Sequence, residues 1–210
     1  RIVFDEQVSA SDYDDAVSQI RPFAFIMGEI LDSFYLSSYS ETQFSNRVTE
    51  YLNAFEDSVD IWEVANEING EWTGSISSSV SKMEYAYNAV KNRSLTASIT
   101  LYYNEDPDGN TCWDNAQNEM FTWATNQIPS YIKNGVDYVL VSWYEDDCPG
   151  LTPDWDQAFI QLQTMFPNSK IGFGECGTSH KDKKSSYIER YYGKTRDGDI
   201  SNIASHYIGG

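Results

Sequence analysis

"DYVLVSWY", residues 137–144, is the stretch whose reading decides the fold. A strand with one face on a core and the other in water alternates apolar and polar residues. A run nearly continuous in Val, Leu and Tyr suits a parallel strand covered by helices on both faces. Strand-like runs recur at 1–8 (RIVFDEQV), 23–31 (FAFIMGEIL), 60–66 (DIWEVAN), 95–103 (LTASITLYY), 170–174 (KIGFG) and 203–208 (IASHYI). Between them lie amphipathic segments at about 11–20, 41–56, 77–92, 115–134, 153–166 and 182–192. Their apolar positions recur at three and four; Phe44, Val48, Tyr51, Leu52 and Phe55 form one such face. Strand–helix alternation predicts parallel strands with right-handed crossovers. No repeat, linker or composition break divides the chain, so residues 1–210 are expected to form one domain.

Two closures satisfy that pattern, an open doubly wound sheet and a barrel. Neither GxGxxG nor GxxxxGK[ST] follows any strand, which removes the main reason to prefer a nucleotide-binding open sheet. Polar and aromatic residues gather instead just after strand ends: Glu29 and Asp32, Asn66 and Glu67, Tyr103 and Asn104, Tyr144 to Asp147, and Glu175. In a barrel all these ends meet at the face where active sites are built. The expected fold is an α/β, TIM-type (β/α)8 barrel.

The net charge of −18 excludes nucleic acid and anionic membrane surfaces as natural partners, because a phosphate backbone must be met by Lys and Arg. No apolar run approaches the ~20 residues of a membrane span. Six tryptophans and 15 tyrosines exceed what the core of one domain needs. Surplus amphipathic rings suit a partner that is apolar on one face and polar on the other, as sugars are. Cys112 and Cys148 fall in neighbouring strand-to-helix loops and are expected to pair, leaving Cys176 as a buried small residue. Such a disulfide implies an extracellular, secreted protein.

"DIWEVANEINGEW", residues 60–72, raises the question of chemistry, since an apolar run ends on an asparagine and a glutamate. Glu175 ends "IGFGE" in the same manner, three strands later. Glycoside hydrolysis needs such a pair: one carboxyl protonates the leaving oxygen, the other attacks the anomeric carbon or activates water. The arrangement resembles glycoside hydrolase clan A, the retaining (β/α)8-barrel glycosidases. The resemblance implies Glu67 as acid/base, protonated when substrate binds, Glu175 as ionised nucleophile, and Asn66 as donor to the sugar 2-hydroxyl. Tyr144 resembles the family tyrosine that bonds the nucleophile; a one-residue register error would exchange it with Trp143. A carbohydrate substrate is therefore expected, with no cofactor and no metal.

Trp72, Trp113, Trp143 and Tyr103 are candidates for stacking on sugar rings, whereas Trp62 reads as core. Glu29 and Asp32 either line the cleft or, for the aspartate, cap a helix. His180 is read as a surface histidine near the nucleophile loop. The acidic loop 103–115 (YNEDPDGNTCWDN) has oxygen ligands but lacks the Gly and Glu of an EF-hand. If the Asn-Glu strand is the fourth, the family has one more strand before residues 1–8 and a last helix after "HYIGG", so the chain is expected to be part of a longer barrel. The family's arginine near the nucleophile has no counterpart, Arg1 being at the wrong end of its strand. The rival readings are a non-catalytic carbohydrate-binding or structural protein on a degenerate barrel, and a calcium-stabilised acidic surface protein.

Overall fold

The computed structural model describes residues 1–192 and 205–209. It divides into two compact units, Arg1–Ile99 and Thr100–Gly210. Strand order follows chain order and every recorded pairing is parallel. The first unit carries β1 (Ile2–Val3), β2 (Met27–Glu29), β3 (Ile61–Ala65) and the start of β4 (Ala97–Tyr102). The second carries the end of β4, then β5 (Tyr138–Trp143), β6 (Lys170–Cys176) and β7 (Tyr207–Gly209). The run expected over 203–208 thus survives at its end, while residues 203 and 204 lie outside the described residues.

In the first unit the helices are α1 (Asp14–Ile20), α2 (Ser33–Leu36), α3 (Glu41–Phe55) and α4 (Ile76–Lys91). α3 begins on a capping box: Ser40 Oγ accepts the Gln43 N–H, and Gln43 Oε1 accepts the Ser40 N–H. Its expected face is buried in full, and Phe4 from the loop after β1 sits among these rings, 4.5 Å from Tyr51 and 5.9 Å from Phe55. Each such side chain contributes roughly 1.5–3 kcal/mol by burial. Trp62 is core, as its sequence context suggested. β1 and β2 are shorter than the runs 1–8 and 23–31, and the excess goes into loops. Arg47, buried on α3, holds two of those loops by donating to the carbonyls of Phe4, Asp5 and Ile30 at 2.7–2.8 Å. Periodicity alone does not reveal a charge that replaces strand pairing in this way.

In the second unit the helices are α5 (Met120–Gln127), α6 (Ser130–Gly135), α7 (Trp155–Met165) and α8 (Lys184–Tyr192). The single helix expected over 115–134 is interrupted because Pro129 has no N–H to continue the ladder and forces Ile128 into extended geometry. β5 is buried from Val139 to Trp143, as its continuous apolar run requires. Trp155 is the hub of this core, with Tyr103, Trp143, Phe159, Phe173 and Tyr191 all within 6.2 Å of its ring.

Two sugar-stacking assignments fall here. Trp143 is 0% exposed and gives its indole N–H to Tyr191; Tyr103 is 4% exposed and packs edge-on against Trp143. Both are core residues with no ring face to offer a ligand. Their aromatic character answered the need to fill space under α7, not to meet a sugar. Cys112 and Cys148 are disulfide-bonded with Cα atoms 5.1 Å apart, and Cys176 is a half-buried free thiol whose pKa burial pushes up to about 11. Among the described residues no helix is long and apolar enough to cross a membrane.

Candidate active site

Each candidate carboxylate follows a one-residue slip in strand register. Between β3 and β4 the pairing runs Glu63 to Ser98 and then Ala65 to Ile99, so Val64 is an extra residue. Between β5 and β6 it runs Val141 to Phe173 and then Ser142 to Glu175, so Gly174 is extra. Such bulges re-aim side chains and gather near active sites. In a regular strand residues three apart point to opposite faces. With the slip, Asn66 Nδ2 reaches Glu63 Oε1 at 3.3 Å. Likewise Phe173 packs on Trp155, and strict alternation would send Glu175 into the same core. The extra residue turns it away. Gly174 has to be glycine, since a Cβ there would lie 2.8 Å from the Leu140 Cβ.

The first unit builds a buried polar cluster at the ends of β2 and β3. Glu29 and Glu63 are 2% and 1% exposed and share Arg1, whose Nη2 lies 2.8 Å from Glu29 Oε2 and 2.6 Å from Glu63 Oε2. Buried carboxylates need such pairing, so Glu29 is an interior partner of Arg1 rather than a residue lining a cleft. Arg1, set aside at sequence level as lying at the wrong end of β1, is thus the cluster's cation. Asn66 Oδ1 accepts the Ser33 N–H at 3.0 Å, and Ser33 Oγ donates to Glu67 Oε2 at 3.3 Å. Glu67 has φ +39°, a left-handed conformation unusual for a residue with a Cβ. Strain of that kind clusters at functional sites. Asp32 caps α2 by accepting the Phe34 N–H at 2.8 Å, the helix-capping alternative of its two readings. Trp72 is half-buried and bonds Ser33 through its indole N–H.

The second unit places Tyr144 O–H 2.8 Å from Glu175 Oε2, donating to it. The register leaves Tyr144, not Trp143, in this position. Gly177 keeps the loop close, since a Cβ there would stand 3.0 Å from the Tyr144 ring. Tyr144 lies on Tyr102 with ring centroids 5.9 Å apart, and Trp113 leans on the other neighbour of that stack, 4.9 Å from Tyr102. Tyr102 O–H donates to Asp147 at 3.0 Å. Trp72 and Trp113 therefore keep partly open rings, whereas Trp143 and Tyr103 do not. Ser33 and Glu63 were not among the expected site residues. The one signal for Glu63 was its place four residues before Glu67, in the apolar run that leads to it.

Asp106, the leading oxygen donor of loop 103–115, is turned inward on its own loop. Its carboxylate accepts from the Asn110 side chain, the Asn110 N–H and the Asp108 N–H at 3.0–3.1 Å, and those bonds, the side-chain one first, hold its pKa below the usual value. Among the described residues no group of three His, Cys, Asp or Glu is placed to hold a metal ion.

The loop after β6 is tied to the loop after β5 through Asp146, which accepts from the Ser179 N–H at 2.6 Å and from Thr178 Oγ1 at 2.8 Å. His180 stays exposed, 3.8 Å from the same carboxylate. The Ser179 N–H first, then Thr178, lowers the Asp146 pKa below its ordinary 3.8. A depressed carboxylate pKa stabilises the folded contact above the ordinary value, and the contact is lost as pH falls through the lower folded value. The Ser179 amide resonance is accordingly expected to titrate with its midpoint below the ordinary 3.8. A midpoint at or above the ordinary value would show the tie to be absent in solution.

No protein-family profile matches the sequence, and a search of curated proteins returns no match. Solved structures do match in fold. A beta-glucosidase from Exiguobacterium marinum superposes with TM-score 0.60 at 10% identity, over 94% of this chain and 68% of that chain. The GH1 beta-glucosidase from Exiguobacterium antarcticum B7 gives 0.58 at 10% identity, over 94% and 67%. At that identity the likeness speaks for the fold alone. The chain has a glycosidase-like α/β fold of the TIM-barrel type, built on seven parallel strands among the described residues.

Proposed function

We propose that the chain is a secreted, retaining β-glycoside hydrolase acting on a poly- or oligosaccharide, with Glu67 as acid/base and Glu175 as nucleophile. The observation that carries this reading is the paired device at β3 and β6: a one-residue slip, then a glutamate near the end of the strand, the second bonded by the tyrosine that follows β5. In the first step the Glu67 carboxyl gives its proton to the glycosidic oxygen while a Glu175 oxygen bonds the anomeric carbon. The bond from that carbon to the leaving oxygen breaks and the aglycone departs as an alcohol. In the second step Glu67, now a carboxylate, takes a proton from water. The water oxygen bonds the anomeric carbon and Glu175 is released. Tyr144 keeps the Glu175 carboxylate in one orientation by its hydrogen bond. Asn66, itself held by Glu63 and Ser33, is the donor to the sugar 2-hydroxyl. Trp72 and Trp113 are the rings left for stacking.

Aryl β-glucosides and β-glucans are the first substrates to try, because the structural neighbours are beta-glucosidases. Proton NMR during early turnover is expected to show the β-anomer of the released sugar first. The α-anomer first would contradict the two-step route. Oligosaccharide binding without turnover would favour a binding protein on a glycosidase-like fold.

A further inference from the structure

Ser33 is the first residue of α2, 3% exposed, and three hydrogen bonds converge on it from the Asn66–Glu67 turn and from Trp72. Its backbone N–H donates to Asn66 Oδ1 at 3.0 Å, which turns the Asn66 amide nitrogen toward Glu63. Its Oγ accepts the Trp72 indole N–H at 2.9 Å, and its own hydroxyl hydrogen goes to Glu67 Oε2 at 3.3 Å. An indole nitrogen only donates, so Trp72 takes an acceptor site on the hydroxyl and leaves its hydrogen for the carboxylate. The indole is fitted to this place by Gly70, where a Cβ would lie 2.5 Å from the Trp72 ring. The Asp32 cap anchors the turn that presents Ser33.

We propose that Ser33, held by Trp72, is a positioning residue for Glu67: by donating to Oε2 it fixes the carboxyl rotamer. The inference rests on the reading of Glu67 as acid/base. The orientation of the Glu67 carboxyl is thereby set by the first turn of α2 rather than by Glu67's own strand.

The test follows the Glu67 carboxyl carbon by NMR across pH in the full chain and in Ser33→Ala, Trp72→Phe and the double variant. A donor to the charged form favours it, so Ser33→Ala is expected to raise the Glu67 midpoint by about one unit. Trp72→Phe keeps an aromatic ring and Ser33 but loses the indole N–H, and is expected to raise it by less. The double variant is expected to match Ser33→Ala alone, because Trp72 acts through Ser33. Arg1, just before β1, and Glu29 and Glu63, on β2 and β3, are the charged groups of the same cluster and stay in place throughout, so differences between variants report the Ser33 contact. The alkaline limb of kcat/KM is expected to move upward with the titration.

An unmoved midpoint in Ser33→Ala, or additive shifts in the double variant, would overturn the proposal, and Trp72→Phe decides it if Ser33→Ala does not fold. Glu67→Gln separates the two readings. If it keeps hydrolysing poor leaving groups, the acid/base assignment fails whatever Ser33 does. If it is inactive while the Ser33→Ala titration stands still, only the positioning role fails.

Discussion

Glu175→Gln is expected to lose β-glycoside hydrolysis on the order of 10⁴-fold or more, the scale on which removal of a catalytic nucleophile is felt. The amide oxygen is a poor nucleophile and forms no stable glycosyl ester, so the first step has no acceptor. The substitution conserves shape, and the Tyr144 hydroxyl, which donates to Oε2 in the parent, still finds an oxygen acceptor. The variant is therefore expected to melt close to the parent, which separates lost chemistry from lost fold. In the smaller Glu175→Ala, where the missing carboxylate leaves room for an anion, added azide is expected to restore turnover and to yield the α-glycosyl azide, because an outside nucleophile then attacks once. Unchanged hydrolysis by Glu175→Gln would remove Glu175 from the mechanism.

Glu67→Gln is expected to behave differently with different leaving groups. Proton transfer by a positioned acid contributes roughly 10²–10⁴-fold, and glycosides of poor leaving groups are expected to lose that much. A dinitrophenyl glycoside needs no proton to depart, so its first step is expected to run near the parental rate. The second step, deprived of its base, then limits turnover, and a burst of dinitrophenol followed by a slow phase is the expected trace. An equal loss on both substrates would mean that Glu67 holds the site together rather than moving protons.

Much of the fold could be read before any coordinates. The unbroken run Val139–Trp143 demanded cover on both faces and is buried in full, and the face of α3 from Phe44 to Phe55 fell where its three-four spacing put it. The neighbouring-loop argument for Cys112 and Cys148 held for the same reason: parallel strands in chain order make successive loops adjacent. Other features left no trace in composition or spacing. A bulge is one extra residue, and Val64 looks like any other valine in an apolar run. Gly174 was a faint signal, since glycine inside a strand marks a bulge or close backbone approach. Aromatic count misled at Trp143 and Tyr103, because a ring that fills a core and a ring that meets a sugar have the same letter. Arg1 and Ser33 act through partners distant in sequence, Glu63 being 62 residues from Arg1 and Glu67 34 residues from Ser33, and periodicity carries no information at that range.

The central claim is that a sugar becomes covalently attached to Glu175 during turnover. It is tested most directly with a dinitrophenyl 2-deoxy-2-fluoro-β-glucoside, whose fluorine slows the second step and lets the intermediate accumulate. Intact mass spectrometry is expected to show one fluoroglycosyl unit added, and peptide mapping to put it on Glu175. A label on any other carboxylate, or hydrolysis of β-glucosides with no adduct at all, would contradict the account.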